Sequence, residues 1–232
     1  MSPQQERSER HPGEARLPAA VAVLVAIVLY TALPSGLILG PRYVAPVLEL
    51  LLFVPLVAGN PRRMTRHSRV LRQLAIALVL LIAVTNTVSL VLLIGALVGG
   101  KPAQGPSLIL AAGQVWFTNI IMFGLAFWEL DRGGPVRRTQ APRRELPLAD
   151  FRFPQDEDQD AIDEVAAGSS AKSGWTPSFI DYLYVSVTNS SAFSPTDTMP
   201  LTARAKLLMA TESVSAIVLS VLVIAKGVSL LK

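Results

Sequence analysis

The chain of 232 residues contains no cysteine. This absence excludes disulfide bonds, thiolate catalysis and cysteine-ligated metals, and it leaves the redox compartment undetermined. The two histidines, His11 and His67, lie in a polar tail and in a basic loop, which excludes a histidine-based triad or metal site inside an apolar segment. Neither a glycine-rich phosphate loop nor a zinc-binding helix motif is present. The sequence therefore predicts no enzyme, no metal and no cofactor.

Charged residues are also scarce, at 16% of the chain against 51% hydrophobic residues. They are nearly absent from several windows of roughly 20 residues, the length that crosses a bilayer as a helix. A charge at the centre of a spanning helix costs about 2.5–3.5 kcal/mol, so a bilayer enforces this distribution. We therefore expect an all-α, polytopic transmembrane bundle of about six segments, in contact with the lipid bilayer of the inner (plasma) membrane. The net charge of +4 comes from basic residues beside the apolar runs, and no nucleic-acid partner is expected.

The first four membrane segments are predicted from apolar runs at residues 17–39, 43–58, 74–98 and 108–130. Together they make residues 17–130 a four-helix membrane region. The first run exceeds the length of a signal-peptide core, which favours a retained helix over a cleaved signal. The polar, proline-punctuated residues 1–16 are expected to be a disordered cytoplasmic tail.

Several residues within these runs predict contacts between helices. Asn86 and Gln114 are candidates for a polar lining or for buried polar contacts, and Glu49 is either interfacial or a buried polar contact. Gly95 and Gly99 have the small-xxx-small spacing that permits close helix packing. The same two glycines are equally suited to ending a helix.

The loop after the second run sets the predicted orientation. It carries five arginines: Arg62, Arg63, Arg66, Arg69 and Arg72. By the positive-inside rule this loop is cytoplasmic, and the N-terminus, two spans earlier, lies on the same side. Anionic lipid headgroups are an alternative contact for these arginines, although a topology signal alone is the simpler interpretation.

Residues 131–174 are predicted to be a cytoplasmic, mostly disordered linker, because they are rich in Pro, Gly, Ser and Ala and have little apolar periodicity. A short helix near residues 156–167 is expected. The acidic run in the second half lacks the central glycine of a calcium-binding loop. A solvated charge run is therefore favoured over a cation site.

Residues 175–232 are predicted to comprise a polar membrane segment and a terminal transmembrane helix. As one helix, residues 176–195 would just span the bilayer core at about 30 Å, yet 8 of these 20 residues are Ser, Thr or Asn. Three arrangements remain open: a polar span buried among other helices, a re-entrant half-helix with a loop, or an interfacial segment. Irregular backbone at membrane depth requires surrounding protein or a water-filled cavity.

The candidate polar lining or buried contacts in this region are Asp181, Asn189, Ser190, Ser191, Asp197 and Glu212. Glu212 is the most informative, because an acid inside the final apolar run should face the bundle, a cavity or a basic partner. An ion or proton site and a structural contact between helices are both open for it.

The segment Ile180–Thr188, a polar loop with Asp197 and Pro200, and the following helix resemble the pore helix, filter and inner helix of potassium-type channels. The filter glycines of those channels are missing here, so carbonyl-lined potassium selectivity is not implied. The same region also resembles the C-terminal part of a family of uncharacterised bacterial multi-spanning membrane proteins. The matching residues are Phe179, Asp181, Tyr182, Leu183, Tyr184, Ser186, Thr188, Ser194, Thr196, Asp197, Arg204 and Lys206. This second resemblance implies a helical fold and a membrane location.

Two functions follow as hypotheses. The first is a channel-like or transporter-like conduit for ions or small solutes, with the polar candidates as its lining. The second is a structural or partner-binding membrane protein without transport activity. A second copy of the chain or another membrane protein is left open as a partner in both.

Overall fold

The structure is a computed structural model that describes residues 12–66, 68–99, 105–191 and 197–229. The helices are α1 (Leu17–Thr31), α2 (Val44–Gly59), α3 (Arg69–Gly99), α4 (Gly105–Leu130), α5 (Pro135–Gln140), α6 (Asp163–Ala166), α7 (Ser170–Ser173), α8 (Phe179–Ser191) and α9 (Ala203–Ser229). The strands form two antiparallel pairs, β1 (Glu14–Ala15) with β2 (Arg63–Met64), and β3 (Phe151–Arg152) with β4 (Met199–Pro200).

Among the described residues, three helices are long and apolar enough to cross a membrane, namely α3, α4 and α9. Helices α1 and α2 are apolar but shorter, with 15 and 16 residues, or about 22–24 Å at 1.5 Å per residue. The predicted all-α class therefore agrees with the structure, and the count of six membrane segments stays a prediction.

The long helices share two ends, which we name the basic end and the far end. At the basic end the β1–β2 pair lies beside the last turn of α4, where Trp128 donates to Glu14 at 2.9 Å. At the far end Leu37, which follows α1, shares a buried apolar cluster with Leu97 of α3 and Leu108 of α4. Helices α1, α3 and α9 therefore run from the basic end to the far end, and α2 and α4 run back.

Helix α4 is the central element, because it packs against α1, α3, α8 and α9. Gly124 lies where α8 crosses it, and a Cβ at this position would come within 3.2 Å of the Cα of Leu183. The missing side chain lets the two backbones approach closely. At Gly95 and Gly99 of α3 a Cβ would instead meet no other described atom within 4 Å, so neither glycine marks a close helix contact in the described part of the chain.

Residues 131–174 are not the disordered linker that their composition predicts. They form short helices and strand β3 against the basic end, and we call this segment the cap. Phe151 and Phe153, two residues apart on an extended segment, both pack on Tyr182 of α8, with ring centroids 6.1 and 5.3 Å apart. A few such buried aromatic side chains hold in place a segment whose average composition is polar. Within the cap, α6 lies in the range where a short helix was expected.

The predicted disordered tail is also corrected in part. Glu14 and Ala15 form strand β1, and Arg63 of the partner strand donates to the carbonyl oxygen of Gly13 at 2.9 Å. Residues 1–11 of that tail lie outside the described residues, as does His67.

Candidate functional site

The chain enters α8 at the basic end, and the described chain resumes at that same end from residue 197. The first turn of α8 lies at the basic end, where the Phe179 ring meets that of Trp128 at a centroid distance of 5.7 Å. Beyond α8, strand β4 pairs with β3 of the cap. The start of α9 lies there too, since Arg204 donates from Nε to Asp150 at 2.7 Å.

The described residues of helix α8 also extend through only part of the bundle. It has 13 residues, or about 20 Å, against a bilayer core of about 30 Å. Its buried apolar residues belong to the cluster of the basic half. Helices α3, α4 and α9 supply residues to the cluster of the far half as well. Of the three arrangements considered for residues 176–195, this geometry matches a half-helix that returns to its own side.

Asp181 fixes the first turn of α8. Its carboxylate accepts from the backbone N–H of Ser178 at 2.7 Å and from the Ser178 hydroxyl at 2.8 Å. A carboxylate three residues after a helix-capping serine satisfies donors that the helix leaves free. Asp181, predicted as a polar lining or buried contact, is therefore a capping residue at the start of α8 and makes its described hydrogen bonds to Ser178.

The polar face of α8 surrounds the carboxylate of Glu212 on α9. Asn189 donates from Nδ2 to Glu212 at 2.7 Å, Ser190 donates at 2.9 Å, and Ser186 donates as well. These residues, with Ser213, which donates to the Asn189 side chain at 2.9 Å, form what we call the Glu212 cluster. Glu212 has no solvent exposure.

The donors to Glu212 are all neutral. Within the described ranges Glu212 has no salt-bridge partner, although seven ion pairs occur elsewhere in them. An ionised carboxylate in an apolar interior is costly without a counter-ion. Such residues at membrane depth mark functional sites by default.

A chain of polar side chains continues from the cluster toward α3. Asn119 of α4 donates to Ser215 at 3.1 Å and accepts from Asn86 at 3.0 Å, while Ser215 donates to the carbonyl oxygen of Glu212 at 2.8 Å. One turn further along α3 lies Ser89, whose buried hydroxyl has no partner among the described residues. Four helices thus contribute polar groups to one continuous region.

A second polar region holds the start of α8 against the cap. The carboxylate of Asp131, which is fully buried, accepts from the Tyr182 hydroxyl and from the backbone N–H of Asp150 at 2.6 Å. Arg138 lies 4.9 Å from the centroid of the Tyr182 ring, a cation–π contact. These contacts fix the point at which α8 enters the bundle.

Glu14, outside the long helices, completes this region. Its carboxylate accepts from the backbone N–H of Phe179 at 2.6 Å and lies 3.4 Å from Arg138. Burial raises the pKa of Glu14 above its usual range, and the Arg138 charge and the hydrogen bonds from Phe179 and Trp128 oppose that rise.

The structure brings together only some of the predicted site residues. Asn189, Ser190 and Glu212 meet directly, and Asn86 joins them through Asn119. Gln114 is half-buried, and its backbone carbonyl accepts from Thr118. Ser191 and Asp197 are both exposed, so neither belongs to the buried cluster.

Sequence reasoning did not single out Ser186 as a site residue. The available signal was its spacing: Ser186, Asn189 and Ser190 stand at i, i+3 and i+4, on one helix face. Asn119 carried no comparable signal, because its partners come from two other helices.

The five predicted arginines lie at the basic end. Arg62, Arg63, Arg66 and Arg69 are exposed. Arg72 is half-buried, donates to the carbonyl oxygen of Gly133 and lies 3.9 Å from the Glu129 carboxylate. Arg72 therefore joins α3 to the turn that follows α4.

Comparisons with family models, with curated proteins and with solved structures find no match to this chain.

Proposed function

We propose that the chain is a plasma-membrane protein whose basic end faces the cytoplasm. In this arrangement α1, α2, α3, α4 and α9 cross the bilayer, and α8 is a re-entrant helix from the cytoplasmic side. The charge distribution supports this orientation: the loop around β2 and the cap carry most of the arginines, and positive residues are retained on the cytoplasmic side.

We infer that the bundle is a conduit for protons or small cations, with Glu212 as its central group. The observation that carries this proposal is the polar face of α8, which surrounds a buried carboxylate that has no counter-ion in the described structure. Re-entrant and interrupted helices of this kind line ion sites in channels and transporters. Ser186, Asn189 and Ser190 would coordinate or relay the transported ion.

The hydrogen bonds of the Ser186 hydroxyl favour a proton over a metal cation as the transported ion. Its oxygen lies 2.8 Å from the carbonyl oxygen of Ile120 and is also hydrogen-bonded to Glu212. A hydroxyl has only one proton to donate. It donates to Glu212 when that side chain is ionised. When Glu212 is protonated, the carboxylic acid donates to Ser186 and Ser186 donates to Ile120. Both protonation states are therefore satisfied by the same geometry.

The state described here is closed around Glu212, since its side chain is fully buried. Transport then requires α8 to move relative to α9, which would expose the carboxylate to the cytoplasmic side. Glu14 and Asp131 anchor the start of α8, so we expect the C-terminal half of α8 to be the part that shifts.

Proton flux into liposomes tests the proposal. The purified chain is reconstituted with a pH-sensitive dye inside, and a potassium gradient with valinomycin drives protons. Glu212→Gln is expected to lower the flux at least about tenfold, because the shuttling group is lost. Glu49→Gln is the matched control: Glu49 is also a buried carboxylate in an apolar helix, but it contacts Thr85, at 3.4 Å.

Two results would overturn this proposal. One is a folded wild-type protein that carries no flux under proton, sodium and potassium gradients. The other is a Glu212→Gln variant that conducts like the wild type. Size-exclusion profiles and circular dichroism establish that each variant is folded.

The second candidate function is that of a structural or partner-binding membrane protein. The exposed acidic side chains of the cap, which include Glu157, Asp160, Asp163 and Glu164, favour it. Replacing these four by Gln or Asn should remove a cationic partner from the set that co-purifies with the protein after cross-linking. An unchanged set would argue against this candidate.

A further inference from the structure

A cavity of about 90 Å³ lies at the basic end, between α1, α2, α3 and α4. Its inner wall is apolar and is formed by Ala19, Val23, Phe53, Leu78, Val79 and Leu125. A water molecule in a protein interior needs two to four polar partners. This inner wall therefore suits an alkyl group better than water, and its volume accepts roughly three groups of water or methylene size.

The rim of the same cavity is cationic. Among the described residues that line it are four arginines, Arg16, Arg66, Arg72 and Arg137, and one carboxylate, Glu129. The rim is therefore suited to an anion, and guanidinium groups bind phosphate oxygens in a bidentate geometry.

Arg16 gives this rim unused hydrogen-bonding capacity. Its Nε is buried and has no partner among the described residues, although most buried polar atoms in proteins are paired. Burial also lowers the pKa of Arg16, against the opposing charge of Glu129. An additional anion at the rim would satisfy both the unpaired donor and the buried positive charge.

We propose that this cavity binds an anionic phospholipid, with its phosphate between Arg16 and Arg66 and the first methylene groups of one acyl chain against the apolar wall. The apolar inner wall and the cationic rim together suit an amphipathic anion. In the membrane arrangement proposed above, on which this inference rests, these arginines lie at the level where lipid headgroups meet the apolar part of the helix bundle. A phospholipid places its phosphate and its chains at this boundary. This inference is independent of whether the Glu212 cluster conducts ions.

Native mass spectrometry of the full chain tests the proposal. The protein is exchanged into nanodiscs of equal parts phosphatidylglycerol and phosphatidylethanolamine, released into detergent, and scored for retained lipid. Arg16→Gln with Arg66→Gln should lower the retained phosphatidylglycerol at least about tenfold. Arg62→Gln with Arg69→Gln removes the same charge from exposed arginines of the same region that do not line the cavity. This control should change retention less than about twofold.

A second pair of variants tests the acyl chain separately from the phosphate. Ala75 lines the cavity and Ala77 does not, so Ala75→Leu fills it with all arginines intact. Ala75→Leu should lower phosphatidylglycerol retention and Ala77→Leu should not. If only the phosphate were bound, without an acyl chain, neither variant would change the retention. The proposal is overturned if the two arginine pairs have equal effects, if phosphatidylethanolamine is retained equally well, or if Ala75→Leu retains the lipid as the wild type does.

Discussion

Removal of the Glu212 side chain should weaken the packing of α8 on α9. The expected loss in the free energy of unfolding can be calculated from the hydrogen bonds that are removed. Glu212→Ala leaves three buried donors, on Ser186, Asn189 and Ser190, without their acceptor. Hydrogen bonds between membrane helices contribute about 0.6 kcal/mol on average and up to about 1.7 kcal/mol. Three of them give an expected loss of about 2–5 kcal/mol in the free energy of unfolding.

Glu212→Gln should cost less, about 1–2 kcal/mol, because the amide keeps the shape of the side chain and one acceptor oxygen. Thr211→Ala is the matched control: Thr211 is the exposed neighbour on α9 and donates to the carbonyl oxygen of Leu207. Its expected cost is below about 0.5 kcal/mol.

Unfolding by sodium dodecyl sulfate in mixed micelles measures these differences, with tryptophan fluorescence as the signal. Trp128 reports on α8 directly, since its ring contacts Phe179. The reasoning is refuted if Glu212→Ala costs no more than Thr211→Ala. It is also refuted if the Gln and Ala variants cost the same, because hydrogen-bond acceptance would then not be what holds α8.

Two further predictions concern the attachment of the cap and of α8. Asp150 is buried and pairs with Arg204, so Asp150→Ala should lower the free energy of unfolding by about 1–3 kcal/mol. Glu157 belongs to an exposed ion pair, and Glu157→Ala should lower it by less than about 1 kcal/mol. The same unfolding titration compares the two variants, and equal losses would contradict the expectation. Gly124→Ala places a methyl group against the backbone of Leu183 and should lower the free energy of unfolding by about 1–3 kcal/mol. Gly113 has open space around it, so Gly113→Ala should be neutral or should stabilise α4 by up to about 1 kcal/mol. Identical shifts in the unfolding midpoint would rule out a close approach of α4 and α8.

The helices could be predicted from the sequence because apolar runs reveal them without knowledge of the packing. Pro34 interrupts the first apolar run, and a proline ends or kinks a helix; α1 ends at Thr31, three residues before it. The polar residues of 176–195 likewise predicted that this segment differs from an ordinary span. These signals are local, so they can be read from one stretch of chain.

The cap and the partners of the site could not be predicted in the same way. The cap is held by Asp131, Phe151 and Phe153, three residues of a polar segment. The average composition of the segment does not reveal contacts made by so few residues. Asp181 and Glu212 are both acids in or beside a membrane segment, yet one caps a helix and the other is buried in a cluster. The difference lies in the neighbours that the tertiary fold supplies.

The central claim is that α8 returns to the side from which it starts, and single cysteines test it most directly because the chain has none of its own. Ser173 lies before α8, Asp197 after it, and Ser35 at the far end, and all three are exposed. Each is changed to cysteine in turn, and intact cells are treated with a membrane-impermeant maleimide. The account predicts that Ser35→Cys is labelled in intact cells, and that Ser173→Cys and Asp197→Cys are labelled only after the membrane is opened. Labelling of Asp197→Cys but not of Ser173→Cys in intact cells would show that α8 crosses the membrane and would contradict the account.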